Sequence, residues 1–312
     1  MSHNEKPVDF TVYGAAYPHT NGIALLEGGL KISHIPMSVS ECFKAILTHK
    51  KLDAAEFSLA NIIMLADRNA TDYVALPIFP YRAFRHDTVR VRKESPLQQF
   101  EDLRGKRIAL PDYSMTAAVW TRGIFNEVMP GIWRDVEWIL KAPQRFEIPK
   151  GVKHSFIDVD AETAVLSGLA DAVISPDILD NDLPEDQRLL RELPVQINTS
   201  QQDWGMRYGM YPINHVVVMH REVIDRFPDA PLQLLNRFDQ ALAKYLKLDS
   251  VVSLVNWKNV TEKQVLTSLG RDPFAYGLSL NNVAMLEKFT SYIYEQKLVK
   301  NRPTLSEVFP YS

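Results

Sequence analysis

The chain reads as an α/β protein of two lobes, and three observations predict it. Strand-like and helix-like segments alternate from the start, two stretches look like crossings between lobes, and the last third turns mainly helical. The 312 residues exceed the length at which one hydrophobic core tends to divide. The expected division gives 1–88 plus 217–312 to a discontinuous first lobe and 89–216 to the second.

The first strand is expected over residues 8–13, followed by Gly14 and the polar loop AAYPHTNG. Gly28–Gly29 marks a turn before a short apolar run at 30–35. Residues 40–50 carry a helical spacing, with Cys42, Phe43, Ile46 and Leu47 on one face and Ser40 as N-cap. A strand at 52–57 leads into a helix at 58–66, so the sheet is expected to be largely parallel. An apolar run from Ala75 stops at Pro80, and residues 88–92 alternate apolar with charged.

Farther on, 107–110 is a strand, 111–114 a turn, and a helix begins near Met115 with Ala117, Trp120, Ile124 and Val128 inward. Asp112 or Ser114 is expected to cap it, and such a helix start stabilises an anion. Residues 131–151 look irregular, 156–159 a short strand, 160–168 a helix opened by an acidic cap, and 171–175 a strand ending in Ser-Pro. The loop GMYPINH runs into the apolar strand that ends at Met219. Helices are expected over 231–246, 250–269 and 282–297, the last with Met285, Leu286, Phe289 and Ile293 inward.

Composition narrows the function. Hydrophobic residues are 46%, charged residues 23% and the net charge is −3, which fits a globular protein and gives no basic surface for nucleic acid. The single cysteine, Cys42, has no disulfide partner and no metal-ligand spacing. No run approaches the ~20 apolar residues of a membrane span, and MSHNEKPVDFTVYG shows no signal-peptide pattern, so a cytoplasmic protein is expected. A processed secreted form looks the same. The expected partner is a small aromatic carboxylate, and the apolar helical end is compatible with a homo-oligomer.

Candidate chemistry concentrates in ALPIFPYRAFRHD, residues 75–87. Arg82, Arg85 and His86 stand among Phe79, Tyr81 and Phe84, a mixture suited to a planar carboxylate. The two crossings each carry a histidine, His86 and His215, and strand ends add Glu56, Ser58, Ser114 and Ser175. His86, His215, His19 and Glu56 have donors for a divalent metal, but no close pair such as His-x-His occurs among them, so no metal is expected.

The stretches FPYRAFRH, PDYSMTAAVWTRG, YPINH and DPFAYGL, with the weaker AEFSLAN and DLRGKRIALP, resemble the 4,5-dihydroxyphthalate decarboxylase family over about residues 8–309. The resemblance implies a type II periplasmic-binding-protein-like fold and removal of one carboxylate from a dihydroxylated aromatic dicarboxylate. It implies no cofactor, because the aromatic ring serves as its own electron sink. Arg82 or Arg85 then anchors the retained carboxylate, and His86 or His215 donates a proton to the ring carbon. Glu56 or His19 accepts the phenolic proton, and Ser114 and Thr116 bind the second carboxylate. Tyr17, Ser58, Met115, Asn214 and Ser175 complete the expected substrate contacts. The loop Tyr17-Pro18-His19-Thr20-Asn21 departs from the family's Tyr-Asp-(His or Arg)-Thr pattern, which makes a decarboxylase of a different aromatic or unsaturated acid an alternative reading. A solute-binding protein for an aromatic or small carboxylate is the rival reading, since one fold hosts both activities.

Overall fold

The computed structural model describes residues 8–27, 30–193, 201–249, 251–255, 261–270 and 272–311. The turn expected at Gly28–Gly29 lies outside them, as do residues 250 and 256–260 of the helix expected over 250–269. The chain forms two compact units, one of Met1–Ala83, Gly209–Thr290 and Pro303–Ser312, the other of Phe84–Tyr208 and Ser291–Arg302. Residues 84–88 and 291–302 thus group with the second unit, and 209–216 with the first.

Five strands precede the first crossing: β1 (Val8–Gly14), β2 (Leu25–Glu27), β3 (Leu30–Pro36), β4 (Ala54–Ser58) and β5 (Tyr73–Arg82). The second unit contributes β6 (Val89–Arg92), β7 (Arg107–Leu110), β8 (Glu137–Lys141), β9 (His154–Ile157), β10 (Ala172–Ile174) and β11 (Leu190–Glu192). Then β12 (Ile213–His220) brings the chain back. The first sheet has the order β2-β3-β1-β4-β12-β5, the second β11-β6-β10-β7-β8-β9.

The expected parallel character holds in the middle of each sheet, where β1 pairs parallel with β3 and β4, and β7 with β8 and β10. It fails where β2 meets β3 and where β6 meets β10 and β11, all antiparallel, and again at the returning strand. β12 lies antiparallel between β4 and β5, because the chain re-enters the first sheet from the opposite end. All five residues of β4 are buried, which puts Glu56 and Ser58 inside the sheet.

Local chemistry explains several boundaries. Helix α1 (Val39–Leu47) starts at Ser38, not at Ser40 as expected. Ser38 and Glu41 form a reciprocal capping box, which closes two orphan N–H groups where Ser40 closes none. Helix α2 (Leu59–Asp67) is capped by Ser58. Helix α3 (Thr116–Val128) has no side-chain cap. Asp112 instead ties its loop by accepting the Ser114 and Arg145 N–H groups, each at 2.9 Å.

The stretch expected to be irregular at 131–151 contains β8, whose Trp138, Ile139 and Leu140 are buried beside β7. A continuous apolar run without alternation hides such a strand. Gly123 of α3 lets the Tyr292 ring approach so closely that an added Cβ would stand 2.2 Å from it. Among the described residues no helix is long and apolar enough to cross a membrane.

Candidate active site in the first unit

The site begins with two prolines in a strand. Pro77 and Pro80 have no N–H to give to the ladder, so β5 cannot pair evenly with β12. The register shows it: His215 pairs with Tyr81, but Val217, two residues on, pairs with Leu76. The intervening bulge frees carbonyls that must find other donors. Pro77 O accepts the Gly277 N–H at 2.7 Å, and Pro80 O accepts from His19 Nε2 at 2.9 Å. Gly277 holds φ at +75°, a left-handed conformation that glycine takes without strain. The displaced segment borders a cavity of about 200 Å³, lined among others by Tyr17, His19, Tyr81, Arg82, Tyr245 and Tyr276.

Glu56 is the middle residue of β4, with only 2% of its surface exposed. Its Oε1 accepts from Tyr17 Oη at 2.8 Å and from His215 Nδ1 at 2.6 Å, and its Oε2 from the Ala15 N–H at 3.0 Å. Burial pushes the Glu56 carboxyl up, but the hydrogen bond and charge of His215, with the bonds from Ala15 and Tyr17, outweigh it and hold it below its ordinary value. An ionised carboxylate only accepts, so Nδ1 of His215 carries a proton and Nε2 is the nitrogen that can exchange one. Burial, reinforced by the Glu56 charge, raises the Tyr17 phenol, which remains a donor.

Rings enclose the pair. His215 packs on Tyr81 with centroids 4.8 Å apart and edge-on to Phe43 at 5.2 Å. Tyr17 stacks between Tyr81 at 5.9 Å and His19 at 5.3 Å.

Arg82 is buried, and its guanidinium is committed on one side. Nη2 donates to Ala275 O at 2.8 Å and Asn282 Oδ1 at 2.9 Å, and Nη1 to Tyr211 O at 3.3 Å. Its Nε has no hydrogen-bond partner. Among the described residues no carboxylate pairs with it. Burial lowers its pKa to about 10, which leaves it cationic near neutral pH. A buried, uncompensated cation on a cavity wall favours an anion.

The sequence-predicted residues divide between the units. Tyr17, His19, Glu56, Arg82 and His215 come together in the first. Ser58 caps α2 there, and Asn214 donates to Ala83 O and Pro212 O, both at 2.9 Å, so both support the backbone. Arg85, His86, Ser114, Met115, Thr116 and Ser175 belong to the second unit. His86 sits between Phe84 and Trp204, neither ring nitrogen is bonded, and burial lowers its pKa to about 4. The Ser114 hydroxyl donates to Asp112 and the Ser175 hydroxyl to Asp177 O, while Met115 and Thr116 open α3. Among the described residues no three of His, Cys, Asp and Glu gather as a metal-binding group. Tyr81 lines the cavity as part of the aromatic surface expected beside Arg82, and Tyr245 and Tyr276 line it without having been among the expected residues. Tyr276 stands in DPFAYGL, a stretch that carried resemblance but no role.

No family model matches the chain. It is 26% identical over 309 residues to a 4,5-dihydroxyphthalate decarboxylase of Comamonas testosteroni, covering 91% of this chain and 92% of that protein. A second 4,5-dihydroxyphthalate decarboxylase, from Pseudomonas putida, is 33% identical over 150 residues, 44% of this chain and 57% of the relative. Among solved structures, the alkanesulfonate-binding protein SsuA of Xanthomonas axonopodis pv. citri, bound to MOPS, aligns with TM-score 0.55 and 16% identity over 98% of this chain and 99% of that one. The periplasmic aliphatic sulphonate-binding protein SsuA of Escherichia coli aligns with TM-score 0.57 and 16% identity over 97% and 92%. At that identity the structural likeness concerns fold alone. The chain is a relative of the 4,5-dihydroxyphthalate decarboxylases, built on the fold of the periplasmic solute-binding proteins.

Proposed function

We propose that the protein is a decarboxylase of a hydroxylated aromatic dicarboxylate, 4,5-dihydroxyphthalate or a close analogue, working without a cofactor. The observation that carries the reading is the buried Glu56–His215 pair within a cage of aromatic rings. Sequence kinship to two proteins named for this activity supports it.

In this reading Arg82 anchors the retained carboxylate. His215, protonated and balanced by Glu56, gives the Nε2 proton to the ring carbon that bears the leaving carboxylate. A hydroxyl para to that carbon supplies electron density. The carbon–carbon bond then breaks, its electrons restore the aromatic ring, and carbon dioxide departs. One proton is consumed per turnover, and His215 recovers it from solvent.

The binding-protein alternative draws on the fold of the sulfonate-binding relatives. A buried carboxylate such as Glu56 disfavours simple capture of an anion by like-charge repulsion, whereas it suits an imidazole that must hold and release a proton. The test is incubation with 4,5-dihydroxyphthalate and related acids in heavy water. Carbon dioxide release with one deuterium at the vacated carbon supports the reading. Saturable binding of these acids with no release would overturn it in favour of the binding protein.

A further inference from the structure

The wall of the first unit's cavity has a buried floor and a partly exposed rim. Phe79, Phe274 and Tyr276 belong to the floor and are 2%, 9% and 7% exposed. Each is edge-on to another buried ring: Phe79 to Phe309 at 6.0 Å, Phe274 to Tyr211 at 5.3 Å and Tyr276 to Phe238 at 5.8 Å. Rings packed in this way do not yield without loss of stability. The rim is different. It includes His19, half-buried, whose Nε2 donates to Pro80 O at 2.9 Å. It also includes Tyr245, half-buried in the last turn of the helix Ala230–Leu248. These two rings meet edge-on with centroids 6.2 Å apart. The Tyr245 hydroxyl is held by Asp249 Oδ2 at 2.9 Å and Ser253 Oγ at 3.0 Å, on two exposed residues. Tyr17 and Tyr81, also half-buried, are committed to the Glu56–His215 pair. Tyr245 is therefore a ring of the wall that can change without moving either the floor or that pair.

We propose that Tyr245 sets the size limit of this cavity: its ring closes the rim against His19, so that acids with one aromatic ring fit and acids with two fused rings do not. A cavity of ~150 Å³ holds benzene, so about 200 Å³ takes one ring with its substituents and leaves no room inside for a second. A fused ring would have to displace either a packed floor ring or Tyr245. Forcing extra atoms into a filled site costs roughly 5–150-fold in affinity. The bonds from Asp249 and Ser253 steady the tyrosine, but the bulk of the ring, which phenylalanine shares, does the excluding. The inference deepens the decarboxylase reading by naming the residue that bounds its substrates, and it rests on that reading only for the choice of aromatic carboxylates as probes.

The experiment is calorimetric titration of the full chain and of its Tyr245→Ala, Tyr245→Leu and Tyr245→Phe variants with benzoate and with 2-naphthoate, with decarboxylation followed separately. The wild type should bind benzoate at least about tenfold more tightly than 2-naphthoate, although the larger acid has more apolar surface to bury. Tyr245→Ala should reverse the order, with 2-naphthoate binding at least as tightly as benzoate and benzoate itself changing by less than about fivefold. Tyr245→Phe should keep the wild-type order, because it retains the ring and loses only the bonds to Asp249 and Ser253. Alanine suits a helix, and thermal unfolding checks that the variant folds; if it does not, Tyr245→Leu gives the same comparison. Equal binding of the two acids by the wild type, no binding of benzoate, or exclusion of 2-naphthoate that survives loss of the ring overturns the assignment. Admission of 2-naphthoate by Tyr245→Phe overturns it as well, since the tether and not the ring would then set the limit. A size limit governed by Tyr245 in a protein that decarboxylates nothing upholds the assignment and sinks the decarboxylase reading instead.

Discussion

His215 and His86 stand at the two ends of the crossings, and their surroundings are opposite. His215 gives Nδ1 to the buried Glu56 carboxylate. His86 has both nitrogens unbonded, is packed against Phe84 and Trp204, and is pushed by burial to a pKa of about 4. The same residue type is thus bonded to a carboxylate in one unit and packed neutral among rings in the other. The buried arginines teach the same lesson. Arg122 lies 3.9 Å over the Tyr113 ring and donates to Gln296 Oε1 and Tyr113 O, both at 2.7 Å, with only its Nη1 unbonded, whereas Arg82, bonded to Ala275 O, Asn282 and Tyr211 O, is one of the residues lining the cavity. The neighbours, more than burial, separate the members of each pair.

The contrast predicts a graded set of effects. The largest is for His215→Asn, which should lower turnover by about 10²–10⁴-fold with the substrate still bound, as loss of a positioned acid does. Next, Arg82→Met should weaken carboxylate binding by about tenfold or more, whereas Arg122→Met should leave affinity unchanged and lower unfolding stability by about 1–3 kcal/mol through its stranded acceptors. Titration of ligand together with urea unfolding separates these two outcomes.

A pH series isolates His86. Its folded pKa is lowered from 6.5 to about 4, so below pH 6.5 the unfolded chain takes up a proton that the folded chain refuses. Stability is therefore full above pH 6.5 and falls as pH drops toward 4, by roughly 3 kcal/mol from this group. His86→Leu should remove that share of the acid sensitivity, and urea unfolding at a series of pH values measures it. The smallest effect is for Ser175→Ala. It removes a local turn bond and should cost under about 1 kcal/mol with no change in ligand affinity.

Much of the fold was legible because its signals are local. Alternating strands and helices gave the class, and β7 was placed residue for residue at Arg107–Leu110. The α1 start moved from Ser40 to Ser38 because a reciprocal Ser–Glu pair outcompetes a lone serine. β8 stayed hidden because an apolar run buried on both faces has no period to read. The site was legible as residue types and not as geometry. The sequence put Glu56, His19 and His215 among the candidates. That Glu56 bonds His215 depends on β12 inserting beside β4, a pairing 159 positions apart. Tyr276 was unreadable for the same reason: the bulge around Pro77 and Pro80 recruits Gly277, and the loop carries Tyr276 to the cavity with it.

The most direct measurement is single-turnover decarboxylation of 4,5-dihydroxyphthalate, or of the best-bound analogue, by the His215→Asn and His86→Asn variants side by side. The rate should fall at least about 10²-fold for the His215 variant and stay within about threefold of wild type for the His86 variant. A His215 variant that turns over normally, or a His86 variant that loses the reaction while remaining folded, would contradict the assignment of proton transfer to the Glu56–His215 pair.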